Sequence, residues 1–129
     1  MSETLKNIGL GILLSKIRFS VSVSKVHFGF GFRVDKYIQL DIQDDNTKAV
    51  VKLWCDENNL TIKYRTKSHA DILKWLSVIE PYAELIHDKK GYNRMLWVID
   101  NPIPRANPST PTNVFYNWVE KWDDLENDI

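Results

Sequence analysis

Residues 4–15 place Leu5, Ile8, Ile12 and Leu13 at helical spacing, which predicts a short amphipathic helix. At Ile17 the period shortens to two. Ile17, Phe19, Val21 and Val23 alternate with Arg18, Ser20, Ser22 and Ser24, so the stretch from Ile17 to Phe28 reads as a strand with one wet face. The run "HFGFGF" (27–32) continues the alternation and holds a hairpin turn around Val26 to Gly29. A long second strand follows. Phe32, Val34, Ile38, Leu40 and Ile42 form its apolar face, and Arg33, Asp35, Tyr37, Gln39 and Asp41 its polar one.

Capping residues at 44–47 open a helix that carries Val50, Val51, Leu53 and Trp54 and ends at Asn58-Asn59. Residues 60–67, "LTIKYRTK", predict a third strand with Leu60, Ile62 and Tyr64 inward and Thr61, Lys63 and Arg65 outward. Ser68 caps a helix bearing Ile72, Leu73, Leu76 and Ile79, stopped near Pro81. A further helix is predicted over 82–99 with a break at Gly91. Four prolines in residues 101–111 make that segment a loop, and a last helix over 112–126 presents Phe115, Trp118, Val119 and Trp122. The order α-β-β-α-β-α with helical additions is that of an α+β domain.

Composition narrows the picture without redirecting it. A chain of 129 residues with 43% hydrophobic and 26% charged residues suits one compact soluble domain. Lys plus Arg equals Asp plus Glu at 17 each, yet the charge is unevenly placed. Residues 112–129 hold five acids against Lys121, which leaves residues 1–111 with a net charge of +4. A mildly basic body permits a nucleic-acid partner without demanding one. The single cysteine, Cys55, excludes an internal disulfide and suits a reducing compartment, so a cytoplasmic location is expected. No apolar run approaches the ~20 residues of a membrane span, so no membrane partner is expected.

The chemistry-bearing residues offer few constellations. His27, His69 and His87 are scattered and Cys55 has no partner at ligand spacing, so neither a metal nor another cofactor is expected. "FGFGF" lacks the following helix and the Lys-Ser/Thr of a phosphate loop. The polar strand faces say more. Arg18, Ser20, Ser22, Ser24, Arg33, Tyr37, Gln39, Lys63 and Arg65 fall on one side of three strands. Guanidinium, amide, hydroxyl and aromatic groups on one surface suit groove contacts on DNA. Any sheet with one wet face also looks polar, and Asp35 and Asp41 fit that plainer account. The tail has two readings as well: Trp118 and Trp122 form a partner-binding stripe, or they dock on the protein's own core.

The stretch from Gly9 to Phe19, "GLGILLSKIRF", together with "IQLDIQDDNTKAVVKLW" and "LTIKYRTKSHADILKWLSVIEPY", resembles the LAGLIDADG homing-endonuclease family, in particular its small single-motif archaeal members. "STPTNVFYNWVEKW" is similar to a C-terminal helix of some members. The resemblance implies a LAGLIDADG-like domain over 1–100 with a curved antiparallel sheet, a Pro-rich linker over 101–111, and an acidic C-terminal helix and tail over 112–129 docked on that domain. It implies further that the first helix pairs with its counterpart in a second copy through Ile8, Gly9, Gly11 and Ile12, giving a homodimer. In the family each such helix delivers one carboxylate to a metal at the DNA backbone. Here that position falls in the degenerate Ser15-Lys16 pair, on Lys16, and an ammonium cannot ligate Mg²⁺. No Asp or Glu lies between Glu3 and Asp35 to replace it. The expectation is a catalytically inactive regulator that binds double-stranded DNA. The alternatives are a viral or mobile-element module that captures a host protein, and an active Mg²⁺-dependent endonuclease that uses Asp35 or Asp41.

Overall fold

The computed structural model describes residues 3–25, 32–104 and 112–127. Among these, the elements run α1 (Glu3–Lys16), β1 (Arg18–Lys25), β2 (Phe32–Gln39), α2 (Asp45–Glu57), β3 (Arg65–Thr66), α3 (His69–Ile79), α4 (Lys89–Asp100) and α5 (Thr112–Asn127), with a 3₁₀ segment at Glu80–Leu85. The architecture is α+β: helices cover one face of an antiparallel sheet of order β1-β2-β3. The hairpin turn expected around Val26 to Gly29 and most of the 101–111 loop lie outside the described residues.

α1 buries Leu10, Leu13 and Leu14, and the Ile17 amide still donates to the Leu13 carbonyl at 2.8 Å before the chain turns extended. Ile17 and Phe19 carry that apolar line into the sheet, where Ile38 and Leu40 meet it from β2. The first core cluster also takes Val51, Trp54 and Cys55 from α2, Ile72, Trp75, Leu76 and Ile79 from α3, and Tyr92 and Met95 from α4. Full burial of a side chain such as Leu13, 0% exposed, contributes about 2 kcal/mol.

α2 has clear stops at both ends. Asp44 Oδ2 accepts from the Thr47 amide and hydroxyl, each at 2.8 Å. At the other end Asn59 takes φ of 58°, the Leu60 amide donates to the Cys55 carbonyl at 2.8 Å and the Asn59 amide to Asp56 at 3.2 Å. That is a Schellman closure in which asparagine stands where glycine is commonest, and buried Leu60 packs back onto the core.

Three expected elements come out differently. The third strand is two residues long, not eight. With Gln39 opposite Arg65 and Ile38 opposite Thr66, residues 60–63 could pair only with residues 41–44, and those leave the sheet to cap α2. Without a ladder partner the 60–63 segment cannot be a strand, and Tyr64, expected inward, is 55% exposed. β2 likewise ends at Gln39 rather than running to Ile42. The helix expected over 82–99 begins at Lys89, with its break at 86–88 rather than at Gly91. Gly91 lies in the first turn of α4, where a Cβ would strike the Phe19 carbonyl and the Asp88 carboxylate. Asp88 joins the two elements: Oδ1 accepts from the Gly91 amide at 3.2 Å and Oδ2 from the Phe19 amide at 2.9 Å.

α5 lies against α4 and the far end of the sheet. Trp118 and Trp122 are buried with Val98, against Val21, Val23, Val34 and Trp97. Trp118 Nε1 donates to the Asn101 carbonyl at 2.7 Å.

Candidate nucleic-acid interface

Strand alternation turns Arg18, Ser20, Ser22 and Ser24 away from the core, and the register sets a β2 residue beside each. Ser20 stands opposite Tyr37, Ser22 opposite Asp35 and Ser24 opposite Arg33. At the end nearest α1, Arg18, Gln39 and Arg65 form one row across all three strands. Eight of the nine expected residues therefore share the outer face. Lys63 does not. Its segment has left the sheet, and its Nζ lies 4.0 Å from Asp71 on α3.

Arg65 is the best-positioned cation on this face. Its guanidinium sits 4.7 Å from the Tyr37 ring centroid and 5.4 Å from that of Tyr64, and its Nε donates to Gln39 Oε1 at 3.4 Å. Stacking and one hydrogen bond orient the fork, and its terminal amino groups stay available to a phosphate or a base edge. Arg33 differs: its Nε is 3.0 Å from Asp35 Oδ2, so much of its charge is locally answered. Lys67, in phase with Lys63 and Arg65 at the end of the expected strand but not among the nine, lines a depression with Asp35, Lys36, Tyr37 and Arg65.

The carboxyl end of α1 opens onto the same row. Ser15, Lys16, Arg18, Gln39, Asp41 and His87 line a polar depression of about 480 Å³. Ser15 Oγ donates to the Ile12 carbonyl of its own helix at 2.7 Å, and Lys16 is exposed. Among the described residues Asp41 is the sole carboxylate lining it, and no three His, Cys, Asp or Glu side chains gather as metal ligands. Asp35 is distant from it: it stands four positions along the strand from Gln39, about 13 Å, and Asp41 lies farther on.

Of the residues expected to pair two copies, Gly9 faces its own chain. A Cβ there would overlap the Val50 carbonyl oxygen and approach its carbon to 3.0 Å, so α1 and α2 touch backbone to backbone at this point. Ile12 packs partly on the core. Ile8, 49% exposed, and Gly11, where an added Cβ would meet nothing within 4 Å, remain on the open side of the helix.

Comparison with known proteins finds no matching family model, no matching curated protein and no matching solved structure. What the chain does is therefore read from its own geometry. Two further groups have defined chemistry. Burial pushes the Cys55 thiol up to about 12, which removes it as a nucleophile at neutral pH. The amide and hydroxyl of Thr47 hold the Asp44 carboxyl below its ordinary value, as a helix cap requires. Among the described residues no helix is long and apolar enough to cross a membrane.

Proposed function

We propose that this chain is a LAGLIDADG-like protein of the cytoplasm that binds double-stranded DNA as a homodimer without cutting it, and so acts as a regulator. The observation that carries the reading is the row Arg18–Gln39–Arg65 on the open face of the sheet, with Lys16 of the α1 terminus beside it. Lys16 and Arg18 suit phosphate contacts, and Arg65 and Gln39 are the residue types that read base edges. Lys16 at the position of the family's metal-binding acid is the reason to expect no hydrolysis. One such helix per chain calls for a second copy, and Ile8 and Gly11 offer the small, open, apolar strip that a close helix pair needs.

The reading in which the tail captures a host protein is weaker, because Trp118 and Trp122 are spent on the protein's own core. The test is fluorescence anisotropy with a mixed-sequence duplex across a salt series. Affinity should fall steeply with salt, and Arg18→Ala, which removes one phosphate contact from each copy of the dimer, should lower the slope of log affinity against log salt by about two. No binding at low salt would defeat the proposal.

A further inference from the structure

On the covered side of the sheet, away from the row described above, β2 carries an anomaly. Counting by two from Val34 to Ile38 and Leu40 places Lys36 on the inner face, opposite Val21 of β1. An apolar residue is the normal occupant of such a position. Lys36 is half-buried there, and none of the ion pairs among the described residues involves it. It opens into a groove of about 580 Å³ between β2, the start of α3 and the end of α4. Val34, Val98, Ile99 and Ile103 supply apolar lining, and His69 stands in the first turn of α3. Arg33 also lines the groove but already holds Asp35.

We propose that this groove binds a small amphipathic anion, an apolar chain or ring carrying one carboxylate-type head group, with Lys36 as the residue that receives the head. The size falls within the range of small-molecule sites, and an apolar wall with one well-placed cation is how such sites select their ligands. The amino-terminal end of α3 adds a favourable field for an anion. The competing account is a lysine that lays its stem along Val21 and sends its ammonium to water. The two accounts differ in whether the charge matters to a ligand. The proposal does not rest on the DNA reading, and the two surfaces adjoin along β2, where Arg33 lines this groove and Lys36 also lines the depression of Tyr37, Arg65 and Lys67.

The experiment titrates the intact chain with decanoate, followed by methyl NMR at Val34, Val98, Ile99 and Ile103. Val34, Val98 and Ile103 pack with Trp118 and Trp122, so tryptophan fluorescence gives a second readout. Saturable shifts confined to the groove are expected. Lys36→Met, which keeps a stem of similar length, should weaken decanoate about tenfold with an unchanged circular-dichroism spectrum, and Lys36→Arg should restore most of the affinity. Decyltrimethylammonium, with the same chain and the opposite charge, should leave the groove residues unmoved. Equal binding of the two amphiphiles, undiminished decanoate affinity in Lys36→Met, or absence of any saturable shift would overturn the proposal.

Discussion

Gly9 and Gly11 stand two residues apart in one helix and face different worlds. Around Gly9, α1 and α2 approach so closely that the Val50 carbonyl occupies the space of a side chain. Around Gly11 no described residue comes within 4 Å of the space a Cβ would fill, and Ile8 beside it is half exposed. The covered side of the helix is explained by the fold. Its open side is not, because glycine costs a helix interior about 1 kcal/mol relative to alanine and no packing by the described residues offsets it. The sheet repeats the contrast. Phe19 and Ile38 are accounted for by the core, whereas Arg65, stacked on Tyr37 and Tyr64 without an acid partner among the described residues, is oriented toward something outside the chain.

One substitution made twice separates the two sides of α1 most sharply. Gly9→Leu should destabilise the protein by about 3 kcal/mol or prevent folding, since the clash is with backbone and no side-chain rotation relieves it. Gly11→Leu should leave the circular-dichroism spectrum unchanged and convert the proposed dimer to a monomer by light scattering. A dimer that persists in Gly11→Leu would remove the open face of α1 from the interface.

A step down in magnitude is Asp88→Ala. It strips the α4 cap and leaves the Phe19 amide without its acceptor, so a loss of about 2 kcal/mol is expected in urea denaturation. DNA affinity measured below the unfolding transition should not change, because Asp88 serves the covered side alone. Cys55 supplies a probe of the same side. With its thiol pushed up to about 12 by burial, modification by iodoacetamide at pH 8 should be negligible in the folded protein and rapid in urea. Ready modification of the native state would mean that the α2 core opens easily.

The smallest expected effect concerns the α2 cap. Because the folded-state pKa of Asp44 lies below its ordinary value of 3.8, the cap contributes fully above that value, and the contribution is lost as pH falls through the folded pKa. Asp44→Asn should match the parent at pH 7, where asparagine caps equally well, and should show a shallower loss of stability between pH 5 and pH 2. Identical acid profiles would show that the cap does not matter to acid stability.

Much of this structure is legible in the order of residues. The change of period at Ile17, the caps at Asp44 and Ser68 and the terminus at Asn58-Asn59 are local signals, and local hydrogen bonds answer them within a residue or two. The outer face of β1 and β2 was equally readable, since period two admits one assignment of faces once the apolar side is known. The misreadings have one origin. Residues 60–67 carry an alternating pattern, but a strand exists only where a partner runs beside it, and residues 41–44 turn away to cap α2. Lys63 was lost from the interface for that reason, whereas Lys67, two positions after Arg65 in the same alternation, was readable and went unnamed. Lys36, in phase with Val34 and Ile38, was a visible break in the apolar row of β2, but nothing in the chain order shows what surrounds it.

The amino-acid sequence by itself determined the α+β order, the helix limits set by caps, and the polar face that points away from the core, because each depends on residues within a few positions of one another. The tertiary structure alone decided which glycine of α1 is buried against Val50, how short β3 is, which of Lys63 and Arg65 joins the outer face, and that Trp118 and Trp122 turn inward. Each of those outcomes depends on which segment, distant in the chain, arrives alongside, and spacing along one strand or helix carries no record of its neighbour.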